Sequence, residues 1–228
     1  MKKYSVLLLG LTLLFSHIGM AQFTVGGKAS IISNDVVVTS GATNLHSLIR
    51  PTTGFAIGAF GEYALNDSWS VQSELNFKRT GFQVSEGTSF SVGGFQIPLG
   101  ATVEARLSYL ELPLVMKYSH DMGNLKGYVL AGPNVNYALS GELETTANSI
   151  LDFTINTTEI NLKSNAYNRW ALGGVVGAGL AWPVSPDISI NGEIRYNHDF
   201  TSAVEVPLID AGVRNKGWHV GIGVGKRI

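Results

Sequence analysis

Polar and apolar side chains alternate along much of this sequence, and this period of two constrains the fold more than any other feature. In the stretch from Ser68 to Thr80 the odd-numbered positions are mostly apolar and the even-numbered positions are polar or charged. A β-strand points successive side chains to opposite faces, so the stretch predicts a strand between two unlike environments. The pattern returns at 188–200 and 218–224, whereas helical periodicity is hard to find after residue 22. The chain is predicted to be all-β.

The alternating segments divide into eight predicted strands, near 22–33, 52–64, 68–82, 105–119, 125–139, 168–182, 188–201 and 215–228. Most run to about a dozen residues, which exceeds the mean of soluble strands and suffices to cross a bilayer at a tilt. Three connections are short and rich in turn-forming residues, at 66–67, 120–124 and 183–187.

The remaining connections, near 34–51, 83–104, 140–167 and 202–214, are long. Strict alternation of short and long connections is typical of an antiparallel transmembrane β-barrel with short periplasmic turns and long extracellular loops. We expect the longest loops to continue some strand above the membrane, because side chains still alternate from Phe153 to Glu159.

The N-terminus has the three parts of a secretory signal peptide. A basic start at Met1-Lys2-Lys3 precedes an apolar run from Val6 to Phe15 and small residues at Gly19 and Ala21. An uncleaved membrane anchor is the alternative, but the run is shorter than the ~20 residues that a spanning helix needs. We therefore expect residues 1–21 to be a cleaved signal peptide and residues 22–228 to form one barrel domain in the cell outer membrane.

The composition excludes several classes of functional site and of binding partner. The chain has no Cys, which excludes disulfides, thiolate zinc sites and cysteine nucleophiles. Its formal net charge is only -1, which argues against a nucleic-acid partner. The loop carboxylates lack the spaced Asp/Asn pattern of a calcium site. We expect no cofactor and no metal, with the lipid bilayer as the main partner.

Aromatic residues favour a membrane barrel over its main alternative, a soluble eight-stranded barrel that carries an apolar ligand. Trp170 and Trp182 have the same parity, because both are even-numbered, and they therefore lie on the same face of one predicted strand. They stand about 40 Å apart along that strand, which a tilt of about 40° reduces to roughly 30 Å across the membrane. Other large aromatic residues lie beside the predicted short turns. The predicted aromatic girdle consists of Tyr63, Trp69, Tyr118, Trp170 and Trp182.

Eight strands enclose an interior that side chains just fill, so no wide pore is expected. Small inward residues of the sixth and eighth strands, mostly glycines, would make room for Tyr109, Tyr128, Arg195 and Arg227. Buried charges are costly unless they are paired, so the inward charges should form a network. Its predicted members are Glu62, Glu74, Lys78, Glu111, Lys117, Lys126, Glu193, Arg195 and Arg227.

The sequence resembles the PorT-like outer-membrane β-barrel family. The resemblance rests on the run from Tyr109 to Tyr118, on Gly127 to Pro133, and on the alternating glycines from Gly221 to Gly225. It implies an integral, porin-like outer-membrane protein. Some members of that family are linked to protein secretion across the outer membrane, although most have no assigned activity. The resemblance therefore implies envelope or secretion proteins as partners.

An enzyme that modifies lipid or surface glycan is the alternative function. His198, Asp199 and Ser202 cluster at the end of the seventh predicted strand, and His219 points inward on the eighth. A hydrolase needs a base within hydrogen-bond reach of its nucleophile, but His198 and Asp199 are adjacent in a strand and should face opposite ways. The glycine-rich stretches lack the βαβ unit of a nucleotide site. We therefore predict no catalytic residues and a scaffold that presents its loops.

Overall fold

A computed structural model of the chain describes residues 23–39, 49–92, 95–148, 153–159, 168–201, 204–206 and 211–228. The predicted signal peptide and Ser202 lie outside these residues. The strands of the described residues are β1 (Phe23–Thr39), β2 (Ile49–Ala64), β3 (Trp69–Val92), β4 (Phe95–Asp121), β5 (Lys126–Asn148), β6 (Phe153–Glu159), β7 (Trp170–Pro183), β8 (Ile188–Asp199), β9 (Val204–Val206) and β10 (Ala211–Arg227). Across the same residues, no helix is long and apolar enough to cross a membrane.

Eight of the strands close into a barrel. Their order around the wall is β1-β2-β3-β4-β5-β7-β8-β10, and β10 pairs with β1 to complete the circle. The closing seam runs without a register shift from Thr24 opposite Arg227 to Thr39 opposite Gly212. All of these pairings are antiparallel. The short β6 pairs with β5 and the short β9 pairs with β10, outside the closed circle of eight strands. The prediction of an eight-stranded antiparallel barrel is confirmed.

The strands continue far into the segments that were predicted as loops. β3 and β4 stay paired up to Val92 opposite Phe95, so most of the predicted loop near 83–104 is strand. β6 confirms the expected strand from Phe153 to Glu159. Alternation continues into the first part of β4, because the odd positions from Phe95 to Val103 are all apolar and the even positions between them are Gln96, Pro98, Gly100 and Thr102. The predicted strand ends near residues 82 and 105 therefore make the hairpin too short, although the period of two indicates longer strands.

The barrel wall therefore has unequal height. β3, β4 and β5 contain 24, 27 and 23 residues, whereas β7 and β8 contain 14 and 12. All of them start or end at short turns on the same rim, so the difference in length accumulates at the opposite rim. The β3–β4 hairpin is the tallest part of the molecule among the described residues.

The short turns owe their geometry to local hydrogen bonds. Between β2 and β3, the Asn66 side-chain oxygen accepts bonds from the backbone N–H groups of Ser68 (3.0 Å) and Trp69 (2.9 Å). Between β7 and β8, the Ser185 hydroxyl accepts a bond from the Ile188 N–H (3.1 Å). Gly123, between β4 and β5, has a φ of 80°, which favours glycine. The three short connections are thus confirmed.

The two faces of the wall differ in chemistry. On β4, Leu112, Leu114, Met116 and Tyr118 point outward and are exposed, while the intervening Glu111, Val115 and Lys117 are buried inside. The same inversion holds around the barrel, with apolar side chains on the outside and polar ones in the interior. Such a surface suits a hydrocarbon environment and not water.

Candidate functional site

The middle of the interior holds a cluster of four charges contributed by three strands. Lys28 of β1 contacts Glu74 of β3 (3.0 Å) and Glu193 of β8 (2.5 Å) through its Nζ atom. Arg195 of β8 contacts the same two carboxylates, with Nη2 2.6 Å from Glu74 Oε1 and 2.9 Å from Glu193 Oε2. All four side chains are at most 8% exposed. Two cations thus balance two carboxylates in an enclosed space.

A second cluster surrounds Glu111, which is fully buried. Its Oε1 atom accepts bonds from Lys78 (3.1 Å) and from the side-chain amides of Asn134 and Asn197 (both 2.9 Å). Lys78 also donates to Asn136 (2.9 Å). Four strands meet at these contacts, so the cluster ties opposite sides of the barrel together.

Asp199 lies at the end of this chain of contacts. Its carboxylate accepts bonds from the amides of Asn136 (3.0 Å) and Asn215 (3.4 Å). Asp199 and His219 are both buried and face inward, as their parity predicted. His198 faces outward on the same strand as Asp199, so these neighbours do not form a base with its orienting carboxylate.

The third interior cluster lies near the short-turn rim. Lys117 contacts Glu62 at 2.8 Å, and its ammonium lies 4.1 Å from the centre of the Tyr128 ring. The Ser70 hydroxyl donates to the other Glu62 oxygen at 2.7 Å. Glu62 is 20% exposed at its side chain, so water reaches this pair more easily than the two deeper clusters.

Two predicted members lie outside the interior network. Lys126 is exposed, and its Nζ is 3.4 Å from Asp121 at the β4–β5 turn. Arg227 is also exposed, at the last position of β10. Both have inward parity, but both lie at the ends of their strands, where the side chain reaches solvent. Parity predicts which face of a strand a residue occupies but not how deep in the barrel it lies, so the prediction was wrong for these two residues.

Lys28 is the converse case, because it holds the central cluster and was not among the predicted members. It has inward parity and lies well inside β1, among glycines and small residues that weaken the alternation. Distance from the strand ends would have identified it.

Glycines create the space that the large interior side chains occupy. A Cβ atom at Gly179 would lie 2.4 Å from the Tyr128 ring and 2.6 Å from the Gly192 carbonyl oxygen. A Cβ at Gly177 would lie 2.8 Å from Cγ of Arg195. The side chains of Tyr128 and Arg195 therefore fit only because the neighbouring positions on β7 are glycines.

The predicted girdle residues are placed at the two edges of the apolar belt. Trp69 and Tyr118 pack together near the short turns with ring centres 5.0 Å apart, and Trp182 lies on the same side. Tyr63 is half-buried on that side too. Trp170 occupies the other edge, where its ring centre is 4.7 Å from that of Tyr137.

Beyond the belt, the outward face of β3, β4 and β5 changes from apolar to charged. Arg106 contacts Glu104 (2.9 Å) and Glu144 (2.6 Å), and Arg79 contacts Glu142 (3.0 Å). The hydrogen bond to Glu104 raises the pKa of Arg106. We call these five residues the outer charge patch. Their position above Leu110 marks where the wall leaves the apolar layer.

The part of the chain that the structure describes contains no group of three or more His, Cys, Asp or Glu side chains that could hold a metal ion. The interior carboxylates are instead engaged by lysine, arginine and asparagine. The arrangement is suited to holding the barrel together.

Comparison with known proteins agrees with this architecture. The sequence profile of a family described as outer membrane protein beta-barrel domain matches residues 19–205. A search of curated protein sequences finds no match.

Solved structures give the same fold. OprG from Pseudomonas aeruginosa is 11% identical, with 91% of this chain and 97% of OprG covered and a TM-score of 0.50. Neisserial surface protein A is 14% identical, with 90% and 97% covered and a TM-score of 0.42. Ail of Yersinia pestis is 13% identical, with 90% and 98% covered and a TM-score of 0.39. At such low identity the likeness concerns the fold alone.

Proposed function

Since the chain belongs to the family of outer-membrane β-barrel domains, we propose that it is a membrane-embedded scaffold that presents its tall hairpins outside the cell. The observation that carries this proposal is the unequal wall. Along β4, the strand continues from Leu110 to Phe95 past the apolar belt, a path of roughly 50 Å at about 3.3 Å per residue. A hairpin of that length offers an extended surface to another macromolecule.

The filled interior favours a scaffold function and argues against a pore. Three clusters of paired charges cross the inside of the barrel, and Tyr109 and Tyr128 add buried aromatic bulk. We expect little or no conductance when the protein is inserted in planar bilayers. Stable unitary currents of porin size would contradict the scaffold proposal.

The resemblance to PorT-like proteins adds a narrower proposal, that the scaffold is associated with protein secretion. Gentle cross-linking in intact outer membranes, followed by identification of the captured proteins, tests it. Recovery of secretion components at fixed stoichiometry would support the role. Recovery of only lipid and the barrel-assembly machinery would reject it and leave a stand-alone barrel.

The β3–β4 hairpin allows a sharper test of the scaffold itself. Ser85 pairs with Thr102, so replacing residues 85–102 by a two-residue Asn-Gly turn shortens both strands equally and keeps the register below. The shortened protein should insert and show heat-modifiable migration on gels, yet lose the cross-links of the full chain. Unchanged cross-links would show that the tall hairpin is not the presenting surface.

Orientation is checked with two epitope insertions. An epitope between Val92 and Phe95 should be labelled by antibody on intact cells, whereas one between Asn66 and Asp67 should be labelled only after the outer membrane is opened. The opposite result would place the tall hairpins in the periplasm and overturn the proposal.

The enzyme alternative is not favoured by the placement of His198 and Asp199 on opposite faces of β8. Comparing the lipids of a deletion strain with those of strains that carry wild type or His198→Ala tests it. A lipid change that requires His198 would revive the alternative.

A further inference from the structure

Three buried side chains of the second interior cluster meet at hydrogen-bond distance in an arrangement that can react. The Nζ atom of Lys78 on β3 lies 3.1 Å from Glu111 Oε1 and 2.9 Å from Asn136 Oδ1. Glu111 on β4 stands between the two neighbouring strands, because its register partners are Asn76 on β3 and Asn136 on β5. An amine, a base and a carboxamide therefore converge on one point of the barrel interior.

The carboxamide of Asn136 is held at both of its ends. Its oxygen accepts the hydrogen bond from Lys78, and its nitrogen donates to Asp199 Oδ1 at 3.0 Å. If the amine of Lys78 displaces this nitrogen, the nitrogen gains positive charge as it leaves. The Asp199 carboxylate lies where it stabilises that charge.

The four groups are enclosed. Lys78, Glu111, Asn136 and Asp199 are 6%, 2%, 1% and 4% exposed, and the centre of the Tyr109 ring lies 5.4 Å from the Lys78 Nζ atom. Water is thus largely excluded from the reacting atoms, so it neither solvates the amine fully nor competes with it. Fixed neighbours also react far faster than free molecules, because the entropy of bringing them together is already lost on folding.

The other interior lysines provide an internal comparison. The ammonium group of Lys28 contacts the carboxylates of Glu74 and Glu193, and that of Lys117 contacts the carboxylate of Glu62. A carboxylate resists attack by an amine because its carbon already carries a full negative charge on its oxygens. The contact between Lys78 and a neutral carboxamide is chemically different from these ion pairs.

We propose that Lys78 and Asn136 form an intramolecular isopeptide bond, which joins β3 to β5 across β4. Glu111 takes one proton from the Lys78 ammonium, and the freed amine attacks the side-chain carbonyl carbon of Asn136. The bond from that carbon to Nδ2 breaks. Nδ2 leaves as ammonium with one proton from Glu111 and one from the attacking amine, and Glu111 returns to its charged form. This inference concerns the barrel interior and stands independently of the scaffold proposal.

Intact mass spectrometry of the full protein from outer membranes tests the bond, because its formation releases one ammonia. After the mass of the substitution itself is subtracted, wild type should be lighter by one ammonia than Lys78→Arg and Glu111→Gln. Trypsin should leave wild type uncut after Lys78 and should release a branched peptide that contains both Lys78 and Asn136. Equal corrected masses, or complete cleavage after Lys78, would overturn the proposal.

A matched control separates this reaction from ammonia loss elsewhere in the chain. Lys117→Arg makes the same substitution at a lysine that faces a carboxylate, so this variant should keep the mass and the branched peptide of wild type. The timing gives a test that needs no variant. The full wild-type chain should have no branched peptide while it is unfolded in urea and should acquire it after folding into lipid vesicles. A branched peptide already present in the unfolded chain, or absent long after folding, would contradict a reaction that the folded barrel promotes.

Discussion

The barrel contains two sets of ion pairs with similar distances and very different surroundings. In the interior, the paired side chains of Lys28, Glu74 and Arg195 are at most 8% exposed. In the outer charge patch, the side chains of Arg79 and Glu142 are 42% and 43% exposed. Contact distances of about 3 Å recur in both sets, so distance does not distinguish them. The two sets differ in how far water reaches the paired side chains.

This difference teaches which charges hold the barrel together. An exposed pair gains little, because water solvates either partner when the other is lost. A buried charge that loses its partner keeps its desolvation penalty with nothing to offset it. The interior clusters therefore stabilise the fold, whereas the outer charge patch mainly marks the membrane boundary and keeps the hairpins soluble.

The largest effect is expected from Arg195→Met. The change leaves Glu74 and Glu193 with only Lys28 between them, and breaking a buried pair in this way costs about 3–5 kcal/mol. The free energy of unfolding is measured by urea titration of the protein in lipid vesicles. The loss of heat-modifiable migration on gels reports the unfolded fraction. A loss below about 1 kcal/mol would mean that water enters the central cluster freely.

Interior packing should be the next most sensitive feature. Gly179→Val would drive a side chain into the Tyr128 ring and the Gly192 carbonyl, and overpacking of this kind costs about 1–3 kcal/mol. Ala178→Val, one residue away on the outward face, is the matched control and should change the free energy of unfolding very little. Equal effects of the two substitutions would show that the interior is loosely filled.

An intermediate effect is expected at the rim. Glu62→Gln removes the charge that faces Lys117 but keeps an acceptor for Ser70, at a place that water partly reaches. We expect a loss of about 1 kcal/mol in the same urea assay. A loss as large as that of Arg195→Met would contradict the idea that depth in the barrel sets the energy.

Arg79→Gln should have the smallest effect. Its pair with Glu142 is exposed, so the expected loss is about 0.5 kcal/mol or less. Repeating the measurement at high salt should remove most of this difference, because exposed pairs are screened. A salt-independent loss above about 2 kcal/mol would show that the patch is a structural element after all.

Parity carried most of the sequence-based prediction. Alternation alone gave the eight barrel strands, the apolar outer face and the inward direction of Glu111 and Arg195. It was wrong for Lys126 and Arg227, because parity is silent about depth along a strand. Lys28 has inward parity as well, but it was left out of the predicted network because parity does not say which inward charges meet.

The height of the wall was underestimated although the same signal carries part of it. Apolar residues occupy every odd position from Phe95 to Val103, so the period of two indicates a longer β4 than the one predicted. The outward direction of His198 follows from parity, but its stacking with Tyr196 and Phe200 depends on rotamers that a sequence pattern does not encode.

The account rests on the claim that the apolar face of the barrel meets lipid. The four Trp residues of the chain test it without mutation, because Trp69, Trp170, Trp182 and Trp218 are all exposed on the outer face. Tryptophan fluorescence of the full protein in vesicles should be quenched strongly by brominated lipid chains and weakly by aqueous iodide. Strong quenching by iodide with none by brominated lipid would contradict a membrane-embedded barrel.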